Sequence, residues 1–327
     1  MDMNSIVFAG LSLGGMGLVF GAGLAFASQK FAVEVDPRAI RILDALPGAN
    51  CGGCGFPGCA GFANAVVEGN APVNGCPVGG ADCTAALASI MGLEAGDSVK
   101  MVARVLCNGT HDNCTEKYEY NGIKDCLAAN MLAGGSKSCG HGCMGLGSCE
   151  RVCPFDAIHV QENGLALVDP EKCTACGKCL EICPKDVIGY VPYGHNVIVD
   201  CMNEERGGHV KKNCGVACIA CKMCEKACPF DAIHVENNIA KIDYDKCTEC
   251  MLCAEKCPTK AIWADFEARK TAYIIDEKCI GCTLCARACP VDAIEGEVKK
   301  VHVIDHEKCI GCSACEAKCP KDAIEMK

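Results

Sequence analysis

Aromatic side chains are scarce in this chain of 327 residues, at 5% of the total with a single tryptophan, Trp263. Large conventional cores are therefore not expected. Positive charge is not in excess either. The formal charge is −10 and no stripe of Lys and Arg interrupts the acidic balance, which excludes a general nucleic-acid footprint. The basic pairs Lys211-Lys212, Arg269-Lys270 and Lys299-Lys300 read as solvated surface, with docking of an acidic partner protein as the lesser reading. No Gly-x-Gly-x-x-Gly opens a strand–turn–helix unit and there is no P-loop, so nicotinamide chemistry is not expected in this chain.

Cysteine is what the chain has in excess, with 34 residues. Such enrichment marks disulfide scaffolds in short secreted chains, but two- and three-residue spacing within a helical turn points to metal ligation instead. Much of the interior should then be inorganic, and removing the metal should unfold most of it.

Residues 6–28 hold no charged side chain. As a helix they would extend about 34 Å, enough to cross a bilayer's hydrocarbon core. Ala25-Phe26-Ala27 imitates a signal-peptide cleavage site, but the preceding region carries Asp2 and no basic residue, where a signal peptide needs positive charge. The segment therefore reads as an anchor. Lys30, Arg38 and Arg41 follow it and none precedes it, so the positive-inside rule places the remainder in the cytoplasm and localises the chain to the cell (inner) membrane. Gly10, Gly14, Gly17 and Gly21 give small-xxx-small spacings that would let a partner helix approach.

The first cysteine group reads Cys51-Gly-Gly-Cys54-Gly-Phe-Pro-Gly-Cys59, with Cys76-Pro77 further on. Three close thiolates in a glycine-rich loop plus a distant fourth can surround one cubane, a [4Fe–4S] cluster. Structural zinc on four cysteines is the alternative, and matched CxxC knuckles for it are absent. Five later groups keep the bacterial ferredoxin run Cys-x2-Cys-x2-Cys-x3-Cys-Pro. They are Cys173, Cys176, Cys179 and Cys183; Cys218, Cys221, Cys224 and Cys228; Cys247, Cys250, Cys253 and Cys257; Cys279, Cys282, Cys285 and Cys289; and Cys309, Cys312, Cys315 and Cys319. A looser group, Cys139, Cys143, Cys149 and Cys153, precedes them and implies a different loop.

Repetition supports the count. Pro-Phe-Asp-Ala-Ile-His-Val follows both Cys153 and Cys228, and shorter variants follow Cys183, Cys257, Cys289 and Cys319. The proline turns the chain out of the cysteine segment and the apolar residues suit a strand. His159 and His234 occupy equivalent positions and read as strand surface. The runs pair into three two-cluster modules, in which the fourth cysteine of one run ligates the other run's cluster. That rule groups Cys139, Cys143 and Cys149 with Cys183, and Cys153 with Cys173, Cys176 and Cys179. It groups Cys218, Cys221 and Cys224 with Cys257, and Cys228 with Cys247, Cys250 and Cys253. The last module takes Cys279, Cys282 and Cys285 with Cys319, and Cys289 with Cys309, Cys312 and Cys315. Seven sites of four use 28 of the 34 cysteines. Cys83, Cys107, Cys114, Cys126, Cys201 and Cys214 are left, and read as buried thiols. A further metal site among Cys107, Cys114 and Cys126 stays open, without an evident fourth ligand.

The expected fold class is α+β. It comprises a transmembrane anchor (1–30), a small helical [4Fe–4S] domain (31–80), a small mixed intermediate segment (81–136) and three ferredoxin-like modules (137–200, 214–265 and 266–327). Residues 201–213 read as a linker between the first two modules, and alternation over residues 99–105 predicts a strand.

The whole order resembles the B subunit of the Rnf electron-transport complex. The glycine-rich helix, the first cysteine motif, Tyr120-Asn-Gly-Ile-Lys-Asp-Cys126, Gly142-Cys-Met-Gly-Leu-Gly-Ser-Cys149 and the tandem ferredoxin motifs carry the resemblance across nearly the whole chain. It implies a membrane-bound translocase with other Rnf subunits and soluble ferredoxin as partners, moving electrons between ferredoxin and NAD while transporting Na⁺ or H⁺. This chain would relay single electrons and contain no catalytic residue of its own. The rival reading is a membrane-tethered reductive activator of a corrinoid protein or redox regulator, because the first motif also resembles one in corrinoid iron–sulfur proteins.

Overall fold

The computed structural model describes residues 3–30, 36–95 and 99–327. Asp2, whose charge argued against a signal peptide, lies outside them. Helix α1 (Met3–Lys30) contains a 19-residue apolar stretch, Gly10–Ser28, of mean hydropathy 1.6 and wholly unburied. Phe8, Leu11, Leu18, Phe20 and Leu24 stand exposed around it. A helix apolar on every side needs a non-aqueous surrounding, and this one is long enough to span a membrane.

Three helices form the next unit. Asp36 caps α2 (Pro37–Ala45) by accepting from the Arg38 N–H at 2.8 Å, and Pro37 supplies a pre-set first turn. Helix α3 (Gly58–Val67) starts inside the first cysteine motif. Helix α4 (Gly80–Met91) stops at Gly92, whose left-handed φ of 68° ends the turn. Ile42, Leu46, Phe62, Val66 and Leu87 interlock between them as an aliphatic core.

The rest is built on paired short strands, and one pattern occurs three times. In the first unit β1 (Met101–Val105) pairs antiparallel with β4 (Ile188–Pro192), enclosing the hairpin β2 (Ile158–Val160) with β3 (Ala166–Val168). In the second, β5 (Val197–Val199) pairs with β8 (Ile262–Ala264) around β6 (Ile233–Glu236) and β7 (Ile239–Ile242). In the third, β9 (Ala272–Ile274) pairs with β12 (Ile324–Met326) around β10 (Ile294–Glu295) and β11 (Val303–Ile304).

These pairings move two expected boundaries. The strand expected near 99–105 is present as β1, but it is the opening strand of the first unit rather than part of a separate intermediate domain. Residues 106–138 are thus an insertion between β1 and the Cys139–Cys153 segment of that unit. Residues 200–217 are the corresponding insertion after β5, and the expected linker includes a short helix, Gly207–Asn213. Strand partners many residues apart in sequence decide this, and local alternation carries no information about them.

Candidate metal centres

Each regular cysteine run bends the backbone the same way. The residue between the first two cysteines nearest the second, and the residue just after the second, both have positive φ: Ala175 and Gly177, Ala220 and Lys222, Glu249 and Met251, Gly281 and Thr283, Gly311 and Ser313. A left-handed non-glycine residue costs about 1–2 kcal/mol, so a conformation repeated at so many of them marks a functional constraint. A third left-handed residue follows each Cys-Pro: Asp156, Asp186, Asp231, Lys260, Asp292 and Asp322.

That third bend explains the Asp-Ala-Ile repeat. It swings the alanine N–H onto the preceding cysteine sulfur: Ala157 donates to Cys153 Sγ at 3.4 Å, Ala232 to Cys228 at 3.4 Å, Ala293 to Cys289 at 3.2 Å and Ala323 to Cys319 at 3.3 Å. The alanine side chains are buried, and Val187 fills the equivalent buried position after Cys183. Such N–H···S bonds stabilise a thiolate, and these alanines are functional residues the cysteine spacing alone does not reveal.

The thiols collect around cavities of nearly equal size. Cys153, Cys173, Cys176 and Cys179 line one. Cys228, Cys247, Cys250 and Cys253 line another, and Cys279, Cys282, Cys285 and Cys319 a third. In each, the lone cysteine comes from the other run of its pair. Burial raises the Cys224 thiol to about 11, with Cys218, Cys257 and Cys221 adding to the effect. Burial likewise raises Cys312, with Cys289 and Cys309 among the thiols beside it. Among the described residues, no three His, Cys, Asp or Glu side chains converge as a single metal ion would require. Four sulfurs held apart around a shared space, with backbone N–H groups directed at them, fit an iron–sulfur cubane better than zinc.

In the first motif, Cys76 is raised by burial, accepts from the N–H groups of Gly79 and Val78, and lies near Cys54 and Cys51. Asn50 fixes the loop by accepting from the Cys59 N–H at 2.8 Å. Cys83 sits behind this group as a buried thiol, raised to about 11 by burial and then by Cys76 and Cys59.

The looser group is arranged differently from the expectation. Cys149 is pushed up to about 12 by burial, then by Cys143 and Cys126, and Cys183 by burial with Cys143 and Cys126 beside it. Cys126, not Cys139, therefore stands with Cys143, Cys149 and Cys183. A polar network positions it: the Cys126 N–H donates to Ser148 Oγ at 2.8 Å, Ser148 donates to Asp125, and Arg151 pairs with Asp125 at 2.9 Å. Cys139 lines a separate cavity with Cys107, Cys114, Cys201 and Cys214. The Tyr120–Cys126 motif was the available signal for Cys126; nothing local in the sequence singles out Cys201 or Cys214.

The groups adjoin one another. A Cβ on Gly53 would lie 2.6 Å from the Cys176 carbonyl oxygen, so this position needs glycine for the first motif to rest against the first unit. Cys176 is raised by burial, with Cys51 the first of the opposing thiols. Cys253, pushed up to about 12 by burial, lies near Cys224, and Cys312 near Cys250.

Comparison with known families matches residues 46–78 to a putative Fe-S cluster family and 139–193 to an LdpA Fe-S cluster-binding domain. Residues 217–261 and 272–326 each match a 4Fe-4S dicluster domain. The chain is similar to the B subunit of the Na(+)-translocating ferredoxin:NAD(+) oxidoreductase complex of Acetobacterium woodii, with 55% identity over 84% of this chain and 83% of that protein. The B subunit of the ion-translocating oxidoreductase complex of Methanosarcina acetivorans is 43% identical over 75% of this chain and 94% of its own length. The B subunit of a proton-translocating ferredoxin:NAD(+) oxidoreductase complex from Clostridium ljungdahlii is 43% identical over 75% of this chain and 87% of its own. A likeness this extensive, falling on a chain organised around adjoining cysteine groups, makes it an electron-transfer protein of the Rnf family, belonging to the B subunits of the ion-translocating oxidoreductase complexes.

Proposed function

We propose that the chain relays single electrons through [4Fe–4S] clusters between ferredoxin and the cofactors of partner subunits in an ion-translocating ferredoxin:NAD oxidoreductase complex. Seven clusters follow from the sequence reading: one on Cys51, Cys54, Cys59 and Cys76, and six in three tandem two-cluster modules. In the first module Cys126 replaces Cys139 beside Cys143, Cys149 and Cys183. Cubanes held there supply one-electron carriers that need no proton transfer. The protein positions them, shields the thiols in part from water, and adjusts their potentials through N–H···S bonds and local charge.

Proximity between neighbouring cysteine groups is the observation that carries this reading. The first group meets Cys176, Cys149 lies near Cys179, Cys224 near Cys253, and Cys250 near Cys312. An isolated structural site has no need of such continuity. The family favours the relay over a reductive activator.

Lys30, Arg38 and Arg41 on one flank of α1 support a cytoplasmic location for the cysteine-bearing part, with the group nearest α1 as the membrane-side exchange point. The relatives are named for different ions, Na⁺ in one and protons in another, so the coupling ion does not transfer by similarity. EPR of the dithionite-reduced full-length protein, combined with iron and acid-labile sulfide analysis, tests the relay. Reduced-cluster signals with about 28 iron atoms or more, at four per cubane, support it. Stoichiometric zinc without a reduced-cluster signal would refute it.

A further inference from the structure

The six cysteines outside the sequence-based groups are not scattered. Besides Cys83 and Cys126, four remain: Cys107 and Cys114 in the insertion after β1, and Cys201 and Cys214 in the insertion after β5. The fold brings both insertions to one place. Cys114 and Cys214 form an antiparallel bridge, the Gly215 N–H donates to the Asn113 carbonyl at 2.9 Å, and the Thr115 N–H to the Asn213 carbonyl at 3.0 Å. Cys139, released from its expected group, faces the same point. These five cysteines line a cavity that matches in size those lined by the ferredoxin runs.

We propose that Cys107, Cys139, Cys201 and Cys214 hold an additional [4Fe–4S] cluster, an eighth beyond the seven of the proposed relay, between the first and second modules. This inference rests on the relay function. Hydrogen bonding selects the four. Cysteines of the regular runs accept from the N–H two residues on, as Cys176 does from Lys178, Cys250 from Leu252 and Cys312 from Ala314. Cys107 accepts likewise from Gly109 at 3.4 Å, Cys201 from Asn203 and Cys214 from Val216. Cys139 accepts from the Asn203 side-chain amide at 3.3 Å, and Asn203 is itself 1% exposed. Cys114 lacks the two-on N–H bond. Its sulfur accepts from the Cys139 N–H and hydrogen-bonds that of Cys214, and we assign it as a neighbouring thiol rather than a ligand.

Charge gives independent support. Lys137 is 2% exposed, and its ammonium donates at 2.6 Å to a neutral group, the Gly109 carbonyl. Burying a cation against a neutral carbonyl is unfavourable unless negative charge lies near it. The Cys107 and Cys114 thiols lie within its field, and a cubane with four thiolates carries the net negative charge that the ammonium lacks.

Position supplies the role. Cys107 accepts from the Cys143 N–H on one side, and Cys201 from the Cys218 N–H on the other. The additional centre therefore bridges the Cys143 group of the first module and the Cys218 group of the second. It would take one electron from either neighbour and give one to the other.

Iron counting on the anaerobically purified full-length chain tests this. Native mass spectrometry of the wild type should show a cluster set corresponding to about 32 iron atoms, at four per cubane. Cys201→Ala should lose about four of them while Cys114→Ala keeps the wild-type number. In rapid-mixing reduction, Cys201→Ala should also leave the two halves of the cluster array reducing at separate rates. A wild-type count of about 28, or zinc at this site beside reducible clusters, would overturn the inference and leave the relay standing. So would loss of four iron atoms from Cys114→Ala with none lost from Cys201→Ala. If Cys201→Ala fails to fold, the wild-type count alone decides. Absence of reducible clusters altogether would instead remove the relay function on which this centre rests.

Discussion

The helical unit of residues 36–95 and the last module, residues 272–326, both surround cysteine groups, but they are held together differently. In the helical unit, Ile42, Phe62 and Leu87 are essentially fully buried, and α2, α3 and α4 close on them with one cysteine group at the edge. In the last module the core is Ala272, Ile294, Ile304 and Ile324 with two cysteines, Cys285 and Cys315, and its strands run two or three residues. A chain segment this short buries too little apolar surface to fold on that alone. In the helical unit the protein can hold its cluster in place. In the last module the clusters must hold the protein.

Iron removal should separate the two regions most strongly. With an anaerobic chelator, hydrogen exchange followed by mass spectrometry should show residues 272–326 losing essentially all protection, while α2, α3 and α4 keep theirs. Equal loss in both regions would break the contrast. The reverse case is a core truncation. Phe62→Ala should cost the helical unit about 3–5 kcal/mol in denaturant unfolding and leave the iron content of the modules unchanged. A loss of iron from the last module in this variant would show that the regions are not independent.

The smallest effect concerns the module surface. Glu150 bonds the exposed ring of His159 at 3.2 Å and holds the imidazole above the usual histidine range. Because the folded-state pKa is raised, the contact stabilises fully below the unfolded histidine value and is lost as pH rises through the folded value. Glu150→Gln should return the His159 titration towards ordinary values and leave melting and iron content unchanged, if the centres rather than surface pairs sustain the module. A marked drop in melting temperature would oppose that.

Cysteines spaced within one loop were legible as a group in the sequence, because Cys-x2-Cys-x2-Cys is a local pattern and the cysteine that joins them from the paired run recurs at a fixed distance. Cys126 was harder. It stands far from Cys183 in sequence, and the Asp125–Ser148–Arg151 network holds it beside Cys149. Cys201 and Cys214 were illegible for a related reason. Each lacks a close cysteine partner in its own insertion, and their meeting with Cys107 and Cys139 depends on the pairing of residues 113–115 with 213–215. The β1 strand was readable from alternation, but its partner β4 was not. That is why residues 81–136 looked like a domain of their own.

The closed strand pairs β1–β4 and β5–β8 have a further consequence for how such a chain can grow. Each insertion leaves from the end of an opening strand that its partner already clamps, so its length hardly affects the hairpin and cysteine loops enclosed beyond it. Lengthening a loop with fixed ends is cheap, at about 0.6 kcal/mol for each doubling. New thiols can therefore enter between existing modules without disturbing the register of the old ones, and a conductor can gain a junction by lengthening two loops rather than by copying a whole unit.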